Sequence, residues 1–131
     1  MTNEVIIRDL SDATSREMAE KVIEILNTRK AHNVKLLRVE DQTVISDYFV
    51  ICSATSNTQV KSLAAEIEYK MGLCAVDPLH LDGYSEGQWA VIDYGSVMVH
   101  VFLEEARQFY KLEKLWADSE EVDISALFAE N

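Results

Sequence analysis

Asp93 and His100 are the residue types of an acid–base pair, and Cys52 with Ser53 are the types of a nucleophile. Their spacing alone does not bring them into one geometry. The histidines, His32, His80 and His100, are scattered and lack the i, i+4 spacing of a helical metal site, so the pattern points to no metal. Cys52 and Cys74 lack the C-x-x-C spacing of redox and zinc sites and lie in or beside apolar segments, which reads as buried free thiols in a reducing compartment. The turn Ser53-Ala54-Thr55-Ser56 aims backbone amides at a helix start, where an anion could sit. No Gly-rich loop, Lys-Ser pair or carboxylate pair for magnesium accompanies it, so a capped helix is the better reading. Nothing here makes a catalytic constellation, and no cofactor is expected.

The elements that must position these residues can be read in order. Thr14 and Glu17 form a capping box, and Ala19, Val22, Ile23 and Leu26 follow at helical spacing; the helix is expected to end near Asn33. Val34 to Val39 reads as a partly exposed strand. The run Tyr48-Phe49-Val50-Ile51-Cys52, apolar without alternation, reads as a central strand covered on both faces. Ser56 and Gln59 form a second capping box before Val60, Leu63, Ala64, Ile67 and Met71, with Gly72 at the expected C-terminus. Leu79 to Leu81, after Pro78, suits an edge strand.

Trp89 to Tyr94, Gly95-Ser96 and Val97 to Leu103 read as a β-hairpin closed by a type II′ turn at Gly95. A two-residue turn pairs Tyr94 with Val97, Asp93 with Met98, Ile92 with Val99, Val91 with His100 and Trp89 with Phe102. One face is then Ala90, Ile92, Tyr94, Val97, Val99 and Val101, apolar and core-facing. The other is mixed: Trp89, Val91, Asp93, Met98, His100 and Phe102, with Asp93 diagonal to His100. Glu104 and Glu105 open a last helix whose Phe109, Leu112, Leu115 and Trp116 supply an apolar stripe; for Phe109, Leu112 and Trp116 core packing is expected. Asp118, Glu120, Glu121 and Asp123 then precede Ile124, Leu127 and Phe128, an acidic stretch that docks back as a helical turn or frays.

With 131 residues, 48% hydrophobic content, one proline and four glycines, the chain suits a single α/β domain. A net charge of −11 argues against direct nucleic-acid binding, which draws on Lys and Arg at phosphates, and fits either basic protein partners or simple solubility. No apolar run is long enough to span a bilayer and Met1 to Leu10 lacks the pattern of a targeting peptide, so no membrane association and a cytoplasmic location are expected.

The segments Ser46-Asp47-Tyr48-Phe49-Val50-Ile51, Gln59-Val60-Lys61, Trp89-Ala90-Val91-Ile92-Asp93-Tyr94-Gly95, Val99-His100-Val101-Phe102 and Phe109 through Trp116 together resemble the ribosomal silencing factor family, also called Iojap-like. The order and spacing match from about Met18 to Trp116. The resemblance implies binding to the large ribosomal subunit at ribosomal protein L-fourteen, steric exclusion of the small subunit and lowered translation when nutrients are scarce. It also implies a nucleotidyltransferase-like architecture, a mixed β-sheet flanked by helices, here without the Gly-Ser plus Asp-x-Asp pattern of a catalyst.

By the same resemblance the partner-binding residues are Trp89, Asp93, Tyr94, Gly95, Met98, His100, Phe102, Glu105, Arg107 and Tyr110. Tyr94 falls on the core face by register, although its hydroxyl at the turn could reach solvent. Ser96 stands where the family often has an acidic residue. The expected division is a domain over residues 1–116 and an acidic C-terminal tail over residues 117–131. Two rivals stay open: an enzyme of nucleotidyltransferase type that binds a nucleotide with magnesium through Asp93, and a homodimer that pairs through the hairpin face when free.

Overall fold

A computed structural model describes residues 9–128. The segment Met1 to Arg8, part of the amino-terminal reading above, lies outside the described residues, as do residues 129–131.

Helix α1 (Ser15–Thr28) is capped as its sequence requires: the Glu17 amide donates to the Thr14 hydroxyl at 3.1 Å and the Thr14 amide donates to the Glu17 carboxylate at 2.9 Å. It stops at Thr28, short of Asn33. Lys30 takes the left-handed conformation after the helix, while Asn33, also left-handed, forms an irregularity in strand β1 (His32–Arg38).

Strand β2 (Tyr48–Ala54) is buried along its whole length, as its unbroken apolar run requires. It pairs antiparallel with β1 and leads into helix α2 (Asn57–Leu73). Ser56 caps α2 by accepting the Gln59 amide at 3.0 Å, but the Gln59 side chain accepts from the Thr55 amide at 2.8 Å rather than from Ser56, shifting the reciprocal half of the expected box by one residue. The left-handed residue after α2 is Ala75, at φ 67°, and not Gly72, which lies within the helix.

After a short edge strand β3 (His80–Asp82), strands β4 (Trp89–Asp93) and β5 (Val97–Leu103) form the hairpin in the register derived from sequence, with Trp89 opposite Phe102, Val91 opposite His100 and Asp93 opposite Met98. The turn itself differs. Gly95 has φ +86° as required, but the Ser96 amide donates to the Tyr94 carbonyl at 3.1 Å, closing a three-residue γ-type turn instead of a type II′ turn.

The expected last helix is broken. Helix α3 (Glu104–Tyr110) ends at Lys111, which adopts φ 51° and ψ 49°, and α4 (Leu112–Leu115) leaves in a new direction. The break ends the apolar stripe: Leu112 is buried, whereas Phe109 and Leu115 are 78% and 77% exposed. The described residues beyond Trp116 are part of the fold. Strand β6 (Glu120–Val122) pairs with β1, and Ser125–Phe128 forms a 3-10 helix whose Phe128, with Ile124 and Leu127, packs on the core. The boundary expected at Trp116 therefore does not divide the fold.

The result is a mixed six-stranded sheet in the order β3-β4-β5-β2-β1-β6, in which β2 and β5 run parallel and all other neighbours antiparallel. Helices α1 and α2 cover one face over a large apolar core that holds Ala90, Ile92, Val97, Val99 and Val101 from the hairpin. A smaller core under α3 and α4 holds Leu37, Phe49, Ile51 and Phe102 on the other face. No helix among the described residues is long and apolar enough to cross a membrane.

Candidate partner-docking face

The mixed hairpin face is only half covered. The α3–α4 elbow seals its β2–β5 side, where His100 and Phe102 are 4% and 0% exposed. Toward the β3 edge, Val91, Asp93 and Met98 stay partly exposed beside their cross-strand neighbours His80 and Asp82, which are exposed. Along the boundary Trp89 stacks on buried Phe102, with ring centroids 4.7 Å apart, and meets Tyr110 at 4.9 Å. Tyr110 in turn meets the exposed ring of Phe109 edge-on at 5.1 Å. Aromatic rings, a thioether and an aliphatic side chain thus form a shelf, with Asp93 and Asp82 adding negative charge along it and Glu105 exposed at the start of α3.

The sequence places residues on this face that the fold then uses differently. His100 lies beneath the shelf: its Nδ1 accepts the Trp89 indole N–H at 3.1 Å and its ring meets Phe49 edge-on at 4.8 Å. Burial pushes its pKa down to about 4, so it is neutral at pH 7, with its proton on Nε2 because Nδ1 is accepting. Phe102 is the floor on which Trp89 rests. Arg107 is also internal. Its guanidinium donates to both carboxylate oxygens of Glu113 at 3.0 and 2.8 Å, to the Asn33 carbonyl at 2.8 Å and to the Ser53 hydroxyl at 2.8 Å. These bonds tie α4, β1 and β2 to α3 and hold the elbow closed around Lys111.

Tyr94 faces the opposite core, and its hydroxyl is buried without a hydrogen-bond partner among the described residues, with burial raising its pKa; it does not reach solvent at the turn. Gly95 contributes backbone conformation. Of the ten residues drawn from the resemblance, Trp89, Asp93, Met98, Glu105 and Tyr110 therefore present surface. Phe109 joins them through its ring contact with Tyr110, exposed by a helix break that helical periodicity conceals; Leu115 on α4 is exposed by the same break.

The chemistry imagined from sequence is not assembled. The Asp93 carboxylate accepts the Gly95 amide at 2.8 Å, closing the turn, while His100 is engaged with Trp89. Cys52 is fully buried and its thiol is pushed up to about 12, far from a reactive thiolate. Ser53 accepts from Arg107, and the turn is spent on the α2 cap: the Thr55 amide donates to the Gln59 side chain and the Ser56 hydroxyl accepts the Gln59 amide.

The sequence matches the family described as ribosomal silencing factor during starvation over residues 12–131. The chain belongs to the ribosomal silencing factor family. The family match extends past Trp116, in keeping with the pairing of Glu120–Val122 with β1. A ribosomal silencing factor of Halalkalibacterium halodurans is 31% identical over 116 residues, covering 88% of this chain and 99% of that protein. The mouse protein named mitochondrial assembly of ribosomal large subunit protein 1 is 31% identical over 100 residues, covering 74% of this chain and 44% of that protein. A crystal structure of a Chromobacterium violaceum protein superposes with a TM-score of 0.78 at 31% identity, covering 79% of this chain and 87% of that one. Ribosomal silencing factors are regulatory proteins rather than enzymes, and the family ties this fold to the ribosome and to the silencing of translation.

Proposed function

We propose that this silencing factor docks on the large ribosomal subunit through ribosomal protein L-fourteen and blocks joining of the small subunit by occupying space. The observation that carries the reading is the Trp89–Tyr110–Phe109 shelf continued by Met98 and Val91. Large aromatic groups are the anchors that dominate protein interfaces, because they bury much area at low entropic cost, and here one stands on β4 and two on α3. Asp93, Asp82 and Glu105 suit a basic partner, and the net charge of −11 steers the chain toward one. The mouse relative's name, which refers to assembly of the ribosomal large subunit, supports the choice of subunit.

Mechanistically, the protein needs only to stay seated. An interface of standard size, about 800 Å² per partner, holds a rigid domain on the joining surface and excludes a second body from that volume. The direct test is binding to purified ribosomal protein L-fourteen. Trp89→Ala and Tyr110→Ala should each weaken capture at least tenfold while the circular dichroism of the fold is kept; undiminished capture by both variants would contradict the docking face.

A further inference from the structure

Four of the chain's twelve Lys and Arg residues converge on one cleft. It opens beside the carboxyl ends of the parallel strands β2 and β5, lined by Ser53 and Glu104 there and without Trp89 in its wall, and has a volume of about 910 Å³. Lys35, Arg107, Lys111 and Lys114 line it against three carboxylates, Glu104, Glu113 and Glu121, with the amides of Asn33 and Gln108 in the wall. Two of those carboxylates are already engaged: Glu113 by Arg107 at 2.8 Å and Lys35 at 3.6 Å, and Glu121 by Lys35 at 3.9 Å. Lys111 and Lys114 have no ion-pair partner among the described residues, and four of the five N–H groups of Arg107 are bonded. The cleft is thus locally cationic in a strongly acidic chain.

We propose that this cleft binds a compact polyphosphate anion of the nucleoside di- or triphosphate class. The phosphates would lie against Lys111 and Lys114, with the Asn33 and Gln108 amides available to the remainder. The volume falls in the range of small-molecule sites, and the outer ends of parallel strands are where open α/β sheets take ligands. Size selects the ligand. Charges interact over about 8 Å at physiological ionic strength, so a short anion placed at Lys111 and Lys114 meets a cleft in which four cations outnumber three carboxylates, two of them already paired with Lys35 and Arg107, whereas a long nucleic acid would run onto the acidic surface around it. The elbow gives the site a fixed shape, since Lys111 sits in the left-handed turn that Arg107 and Glu113 brace.

The proposal does not depend on ribosome binding and is tested without ribosomes. The full chain is titrated with ATP, inorganic pyrophosphate and AMP by calorimetry and by amide NMR, beside a Lys111→Ala/Lys114→Ala variant checked for folding by its own amide spectrum. The expected result is saturable binding of ATP and pyrophosphate with shifts at Asn33, Gln108 and Lys111, weaker binding of AMP, and roughly tenfold or greater loss in the variant. A Lys61→Ala variant, outside the cleft, should bind as the parent does. No saturation by roughly 5 mM ligand, loss of binding in Lys61→Ala equal to that in the double variant, or tighter binding of a single-stranded RNA than of ATP would overturn it.

Discussion

The indole N–H of Trp89 donates to Nδ1 of His100 at 3.1 Å, so the half-buried anchor of the proposed docking shelf is held by a buried, neutral imidazole. Protonation of Nδ1 would replace the acceptor with a donor and break that bond. In the fold burial lowers the His100 pKa from 6.5 to about 4, so the unfolded chain takes up the proton first. Stability from this group is complete above about pH 6.5 and falls as pH drops toward 4. Between pH 7 and pH 5 it should decline by about 2 kcal/mol, measured by urea unfolding. In His100→Gln, which keeps an acceptor but cannot titrate, that part of the decline should vanish; an unchanged pH dependence would refute the assignment.

Arg107 and Glu113 form a clasp whose loss should be felt well beyond the two residues. Arg107→Ala removes four hydrogen bonds and leaves the Asn33 carbonyl and the Ser53 hydroxyl without that donor, so a cost of about 3 kcal/mol is expected. Glu113→Ala leaves a largely buried guanidinium uncompensated. A double-mutant cycle by denaturant unfolding should give a coupling of about 1–2 kcal/mol; near-zero coupling would mean that the pair does not brace the elbow.

The parts of the fold read most directly from sequence are those decided by neighbours in the chain. Thr14 with Glu17 contains both halves of a cap, Gly95 fixes the hairpin register, and the unbroken run from Tyr48 to Cys52 describes a strand with no solvent face. The parts that escaped depend on distant contacts. Phe109, Leu112 and Trp116 keep helical spacing, and nothing local at Lys111 marks a left-handed break, because the break is braced by Arg107 reaching Asn33 and Ser53, 74 and 54 residues away. His100 has the alternation of a surface residue and is covered only because α3 and α4 fold back. Glu120 to Val122 reads as acidic tail, yet β1 offers it a free edge and Arg38 an ion pair with Glu120 at 2.9 Å. The proposed docking shelf was thus legible at Trp89 and Asp93 and hidden at Phe109.

Two glycines should respond oppositely to alanine. At Gly83, with φ +75°, a Cβ would stand 2.0 Å from the Trp89 carbonyl oxygen, so Gly83→Ala must displace the start of β4. A loss of about 3 kcal/mol and a shifted tryptophan emission are expected. At Gly72, inside α2, a Cβ would come no closer than 3.8 Å to the nearest atom outside its surroundings, Asp77 Oδ1, and Gly72→Ala should stabilise by about 0.5–1 kcal/mol. Equal effects at both sites in thermal melts would contradict these placements.

The central claim is tested most directly by sedimenting purified large and small ribosomal subunits with the silencing factor and scoring joined ribosomes. The parent protein should travel with the large subunit and lower the joined fraction, while folded Asp93→Lys and Trp89→Ala variants should bind at least tenfold more weakly and leave joining intact. A parent protein that fails to travel with the large subunit at micromolar concentration, or variants that block joining as well as the parent does, would contradict the account.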